Sequence, residues 1–235
     1  MLVNQWHVVR TEDLAHLEPQ ILAPGVTSYV LDWSSPFHGS PQQPAEAVMR
    51  FQPGTILEEP LRHTGPSRII VLSGRLRDES GSYDPFTRIH APRGCVHSPY
   101  SAIGCLLHFR SLEMGADEDA TTSLSGWDVV RPEDLERFQP QALSPGVTGY
   151  VLSWSSPSPG PPQPVELIVD FEAGARFEQP RQHRHAAKET LVLGGRLRDE
   201  NGSYDPFTRI HAPRGSVHTP YSDIGCRVHM TVRAR

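Results

Sequence analysis

The sequence predicts an all-β protein built from two copies of one domain, and three observations carry that prediction. The first is an internal repeat. Gly74 to Cys105 and Gly195 to Cys226 agree at 28 of 32 positions, the exceptions being Ser80/Asn201, Cys95/Ser216, Ser98/Thr219 and Ala102/Asp223. Upstream the match loosens but persists, with "YVLDWSSP" (Tyr29 to Pro36) against "YVLSWSSP" (Tyr150 to Pro157). A repeat of this length is a duplicated domain. The second observation is punctuation: 23 prolines and 19 glycines break the chain into short apolar runs, the pattern of short strands joined by tight turns. The third is period-two alternation, clearest in "VELIVDF", where Val165, Leu167, Val169 and Phe171 share one face.

Taken in order, residues 1–112 form the first copy, 113–125 a small, polar and acidic linker, and 126–235 the second copy. In each copy "GRLR" and "SYDPF" flank a turn, "DESG" or "DENG", whose residues suit a tight hairpin. The one helical signal is "RPEDLERF" (Arg131 to Phe138). Pro132 sits where the first helical residue would be, acids follow it, and Pro140 lies beyond the end. "TEDLAHL" is its weaker counterpart in the first copy.

Composition excludes several classes. A net charge of −5 gives no electrostatic case for nucleic acid. No run has the length of a membrane span, and the first residues lack the apolar core of a signal peptide. Cys95, Cys105 and Cys226 form neither a CxxC pair nor an even framework. Free thiols in a reducing cytoplasm are therefore expected.

The chemistry concentrates in the second copy. His183 and His185 are two apart, and Glu189 follows at the same parity, as do Leu191 and Leu193. An extended segment would point all five to one face. Pro213 and Gly215 make a turn able to bring His218 to the same place. Three imidazoles and a carboxylate suit one divalent transition ion, and an octahedral ion would keep two positions open. The first copy keeps His63 in the place of His183 and His97 in that of His218. Thr64 or Gly65 falls at the place of His185, and Arg68 at that of Glu189. An inward Arg68 would repel an ion, so the first copy is expected to have lost its metal, with Cys95 as the one route to a third ligand. That gives about one ion per chain by ligand count.

Four further readings complete the residues of interest. His211 and His229, present in the other copy as His90 and His108, are expected as polar lining or surface. Cys105 and Cys226 are expected as small buried thiols. Arg196 and Arg198 flank an inward Leu197. Asp199 and Glu200 are expected to form weak surface pairs with arginine.

HxHxxxE with its following glycine (His183, His185, Glu189, Gly195) resembles the first cupin motif, and PxGxxH (Pro213, Gly215, His218) resembles the second. "GRLRDENGSY" and "APRGSVHTPYSDIGC" are similar to the cupin domain of ChrR-type anti-sigma factors, and the resemblance spans both copies. It implies a bicupin: two tandem cupin barrels of the double-stranded β-helix, or jelly-roll, kind. The implied metal is held by His183, His185, Glu189 and His218, zinc first, iron or nickel next. Three positions depart from the motifs. Gly174 lies nine residues before His183 where the motif has a glycine six before, Phe207 replaces the second motif's opening glycine, and Ser222 its closing asparagine. The HxxxCxxC of the family's helical sigma-binding zinc domain does not occur in this sequence. A sigma factor is accordingly not expected as a partner.

Two functions follow as expectations. The first is a metal-bearing module that senses or binds a small molecule, with a homodimer as its assembly. The alternative is a metal-dependent dioxygenase-like enzyme acting on a small carbonyl or aromatic compound. No acid, base or nucleophile stands apart from the metal set, so any catalysis would rest on the ion as Lewis acid or redox centre.

Overall fold

Runs rich in β-branched and aromatic residues, cut by Gly and Pro, become strands throughout. The structure, a computed structural model, describes residues 6–33, 43–112, 127–155, 161–184 and 186–233. The linker 113–125 lies outside them. Each copy builds a seven-stranded antiparallel sheet with the same strand order. In the second the order is His7–Val9, Arg209–Ala212, Ala187–Gly195, Cys226–Arg233, Pro164–Phe171, Val147–Trp154, Pro140–Ser144. In the first it is Asp128–Val130, Arg88–Ala91, Ser67–Gly74, Cys105–Ser111, Pro44–Phe51, Val26–Trp33, Gln20–Ala23. Short strands outside each large sheet carry the hairpins Leu76–Asp78/Gly81–Tyr83 and Leu197–Asp199/Gly202–Tyr204.

The first strand of each sheet comes from the other copy. His7–Val9 pairs with Arg209–Ala212, and Asp128–Val130 with Arg88–Ala91. The compact units are therefore residues 6–14 with 135–233, and 15–112 with 127–134, not the sequential blocks 1–112 and 126–235. The cause lies in the short segments "WHVV" and "WDVV": Trp6 and Val8 pack on the core of the second copy, Trp127 and Val129 on that of the first.

The alternation in "VELIVDF" holds, with Leu167, Val169 and Phe171 in one core cluster beside Val192, Ile210 and Val228. The helical signal gives a 3-10 helix, Pro132–Arg137, rather than an α-helix. Asp134 caps it by accepting from the Arg131 amide at 2.9 Å, and the segment is too short to propagate α-helix before Pro140. Its counterpart, Glu12–His16, is likewise 3-10. Among the described residues no helix is long and apolar enough to cross a membrane.

Candidate metal centre

Two backbone features bring His183 to His218. The strand Arg181–Gln182 pairs with Val217–His218, setting Arg181 opposite His218. The intervening "PRGS" turn needs the left-handed φ of +88° at Gly215, which a side chain would resist. The Gly215 amide donates to the His183 carbonyl at 2.8 Å, and the His183 amide to the Ser216 carbonyl at 3.0 Å. The result is an imidazole pair, His183 buried and His218 partly so, with Nε2 atoms 3.1 Å apart.

A chain of hydrogen bonds stands behind the pair. His218 Nδ1 donates to Asp199 Oδ2 at 2.9 Å, and the Tyr204 hydroxyl donates to Asp199 Oδ1 at 2.8 Å. The Asn201 amide adds a third bond at 2.8 Å. Burial works against ionisation of Asp199, yet these bonds outweigh it and hold the carboxyl below its ordinary range. A proton on His218 Nδ1 leaves the Nε2 lone pair facing His183. Trp6 meets the edge of His218 at a centroid distance of 5.2 Å. Burial first, then the charges of Lys188, His218 and Arg181, push His183 down to about 3, so its ring is neutral. Asp199 and Tyr204 escaped the sequence reading because "RDENGSY" looks like a plain surface hairpin. Their signal was the unchanged Asp and Tyr of that hairpin in both copies.

Glu189 does not join the histidines. In the strand Ala187–Gly195, Val192 belongs to the core cluster, so Lys188 and Thr190 share its face, and Glu189, Leu191 and Leu193 take the other. Glu189 there accepts from Arg209 at 2.9 Å, with His211 Nδ1 at 3.6 Å. The expected parity fails because the strand begins only at Ala187, so a count by twos from His183 starts outside it. Lys188 occupies the core-facing place next to His183 instead, its pKa lowered chiefly by burial. His185 lies outside the described residues. Among those described, no group of three or more His, Cys, Asp or Glu side chains is gathered as a metal set. His229 is buried and bonded to Glu166 at 2.8 Å, and His211 is buried beside Glu189, so neither is a surface group.

The first copy repeats the pair. His63 and His97 have Nε2 atoms 3.1 Å apart, His97 Nδ1 lies 3.0 Å from Asp78 Oδ2, and Tyr83 donates to Asp78 Oδ1 at 2.8 Å. Trp127 meets His97 as Trp6 meets His218. Arg68 does not oppose the pair as expected. It pairs in register with His90, as Glu189 does with His211, on the sheet face opposite core residues Ile69 and Val71. Ser67 takes the place of Lys188, 3.0 Å from His63 Nδ1.

Residues 129–234 match the family model of the ChrR Cupin-like domain. No curated protein matches the chain. Solved structures match over almost its whole length. A provisionally named glyoxylate-induced protein from Pseudomonas aeruginosa aligns at TM-score 0.66 and 14% identity, covering 100% of this chain and 91% of that one. A provisionally named dioxygenase from Nostoc punctiforme aligns at 0.65 and 10%, covering 98% and 83%. Oxalate decarboxylase from Bacillus subtilis aligns at 0.56 and 14%, covering 97% and 77%. The fold is that of the cupins.

Each copy thus holds an imidazole pair at one matching place, and the pair fits an ion in part. Two nitrogens each about 2.0–2.1 Å from a zinc-like ion stand roughly 2.9–3.4 Å apart between octahedral and tetrahedral angles, and the observed 3.1 Å lies inside that range. The carboxylate–histidine contact at Asp199 is the outer-shell partner that metal-bound imidazole ordinarily has. A carboxylate ligand is what the described residues lack, with Lys188 in its stead.

Proposed function

We propose that this chain is a metal-dependent bicupin of the ChrR-like kind, working as a module that binds or senses a small molecule. One divalent transition ion, zinc first and iron or nickel next, is held in the C-terminal barrel by Nε2 of His183 and of His218. His185 is the third ligand on this reading. The observation that carries it is the partly buried pair at 3.1 Å with the His218 tautomer set by its bond to Asp199. An ion there would supply a Lewis-acidic centre with positions left for a ligand's oxygen or nitrogen. This chain's own residues supply the rest: Asp199 and Tyr204 orient His218, and Trp6 walls the ring. Lys188 adds positive charge beside His183 and weakens the hold on a cation.

Metal analysis of protein purified without added metal tests this. The His183→Ala/His218→Ala variant should lose its C-terminal ion and the thermal stabilisation that binding confers. Glu189→Ala should leave metal content unchanged, and Lys188→Glu should raise zinc affinity at least tenfold. Unchanged occupancy in the double variant would sink the assignment.

A second reading, a dioxygenase-like enzyme, draws on the structural neighbours whose names include a dioxygenase and a decarboxylase. Those likenesses carry fold alone. Oxygen uptake by iron-loaded protein with β-diketones or catechols, abolished in His218→Ala, would favour it over the binding module.

A further inference from the structure

We propose that the C-terminal copy takes a small carboxylic acid, as its anion, beside the imidazole pair, with Lys188 and Arg181 as the cations that receive it. This names the ligand class of the small-molecule reading above and rests on that reading, though not on the ion. Two copies that agree at 28 of 32 positions from Gly74 and Gly195 onward diverge in the segments around the pair. Arg181 lies opposite His218 in its strand pair, where the first copy has Leu61 opposite His97. Lys188 takes the register position of Ser67, Arg184 stands for Thr64, and Gln179 for Glu59. Arg62 in place of Gln182 returns one charge to the first copy, and Glu200 has its counterpart in Glu79. The surroundings of the second pair are thus the more positive.

Among the described residues these cations have no carboxylate to hold them. Arg196, Arg198, Arg209 and Arg227 of the same copy each meet an acid within 2.9 Å. Arg181 lies instead over the Phe177 ring, 4.8 Å from its centroid, and Arg184 Nε donates to Gln182 Oε1 at 2.6 Å. Lys188, the only lysine of the chain, is half-buried on the core-facing side of its strand. It has no ion pair or hydrogen bond among the described residues, and Arg181 acts on it as a like charge. In the first copy the Ser67 hydroxyl meets His63 Nδ1 at 3.0 Å; here the matching atom, His183 Nδ1, is buried and has no partner among the described residues. A half-buried ammonium and an unmet ring nitrogen at one register position point to a polar ligand there. A carboxylate accepts without donating, so it suits an ammonium and a guanidinium together. Phosphate sites draw on helix starts, whereas Arg181 and Lys188 stand on strands. The rings of Phe177, under Arg181, and Trp6, against His218, favour an organic anion over an inorganic one.

Because Lys188 is the single lysine, reductive methylation with carbon-13 formaldehyde, which keeps the charge, gives one lysine signal in the magnetic resonance spectrum. Full-length protein, chelator-treated and zinc-loaded, is titrated with malonate, benzoate and phosphate at constant ionic strength, followed by that signal and by calorimetry. Both carboxylates should shift the signal and bind more tightly than phosphate. Lys188→Ser and Arg181→Leu install the residues that the first copy carries at those places, so the fold accommodates them, and circular dichroism checks this. Lys188→Ser should weaken carboxylate binding about tenfold or more, as loss of a charged hydrogen bond does. Arg181→Leu should weaken it about threefold, as suits an exposed charge. Binding to either form that weakens in Lys188→Ser upholds the proposal, even where His183→Ala/His218→Ala loses no ion and the metal assignment fails alone. Carboxylates that leave the Lys188 signal unmoved, affinities unchanged in both variants, or tighter binding of phosphate overturn it, whatever the metal content.

Discussion

Ser67 and Lys188 occupy one register position in two copies of the same strand order, and that exchange changes what the neighbouring histidine can do. The histidines themselves were legible in the sequence, since His183 and His218 meet as the turn at Pro213–Gly215 suggests. Glu189 was misplaced by a parity count that starts before the strand Ala187–Gly195 begins, and Arg68 inherited the same error. Asp199 was read as a surface acid, yet it is buried and orients the pair. A pH dependence follows from these residues. His183 is pushed down to about 3 and His63 to about 4, burial being the largest cause for each, against an ordinary value of 6.5. The unfolded chain therefore binds more protons than the fold between about pH 6.5 and 4, and stability falls as pH falls through that window. Asp78 and Asp199, held low, act in the same direction: their contribution is present above the ordinary carboxylate value and is lost as pH drops through their folded values. Melting temperatures of chelator-treated protein should decline from pH 7 to pH 5. A His63→Gln/His183→Gln variant should show a flatter decline, and an equal slope in the two proteins would contradict the assignment.

At the scale of elements, the alternation in "VELIVDF" and the "DESG" and "DENG" hairpins follow from local chemistry, and both appear as expected. Asp78 and Asp199 close the turns by accepting from the amides two residues on. Phe86 and Phe207 take a left-handed φ of 70° where the resembling motif has glycine, a conformation costing a non-glycine residue about 1–3 kcal/mol. Gly195 also has positive φ, and a Cβ there would collide with the Gly225 carbonyl, which accounts for the motif's glycine at that strand end. The origin of the edge strands was not legible, because "HVV" and "DVV" are equally suited to either sheet and pairing between distant segments leaves no local mark. The exchange makes a specific expectation for Trp6, which lies at the N-terminus but packs on the C-terminal core. Trp6→Ala should destabilise by about 2 kcal/mol, less than the roughly 3–5 of a fully buried tryptophan. Hydrogen exchange should rise first at Arg209–Ala212, the strand that pairs with His7–Val9. Loosening confined to residues 15–112 would refute the pairing.

For the whole molecule, duplication is plain in the sequence, but the exchange alters what a domain is. A fragment ending at residue 112 would keep its large sheet without Asp128–Val130, and would carry His7–Val9 with no sheet to join. A fragment beginning at residue 127 would have the converse defect. Each would present an unpaired strand edge, which invites association, and each would leave core side chains beside the missing tryptophan and valine open to water. The fragments made separately should therefore be less stable than the intact chain and prone to aggregate. Made together, they should assemble one-to-one, since each brings the strand the other needs. A permuted fragment that places residues 6–14 directly before 135–233 should fold better than 127–233 by itself. If 127–233 alone melts as high as the intact chain, the exchanged strands contribute nothing and the sequential boundaries regain their meaning.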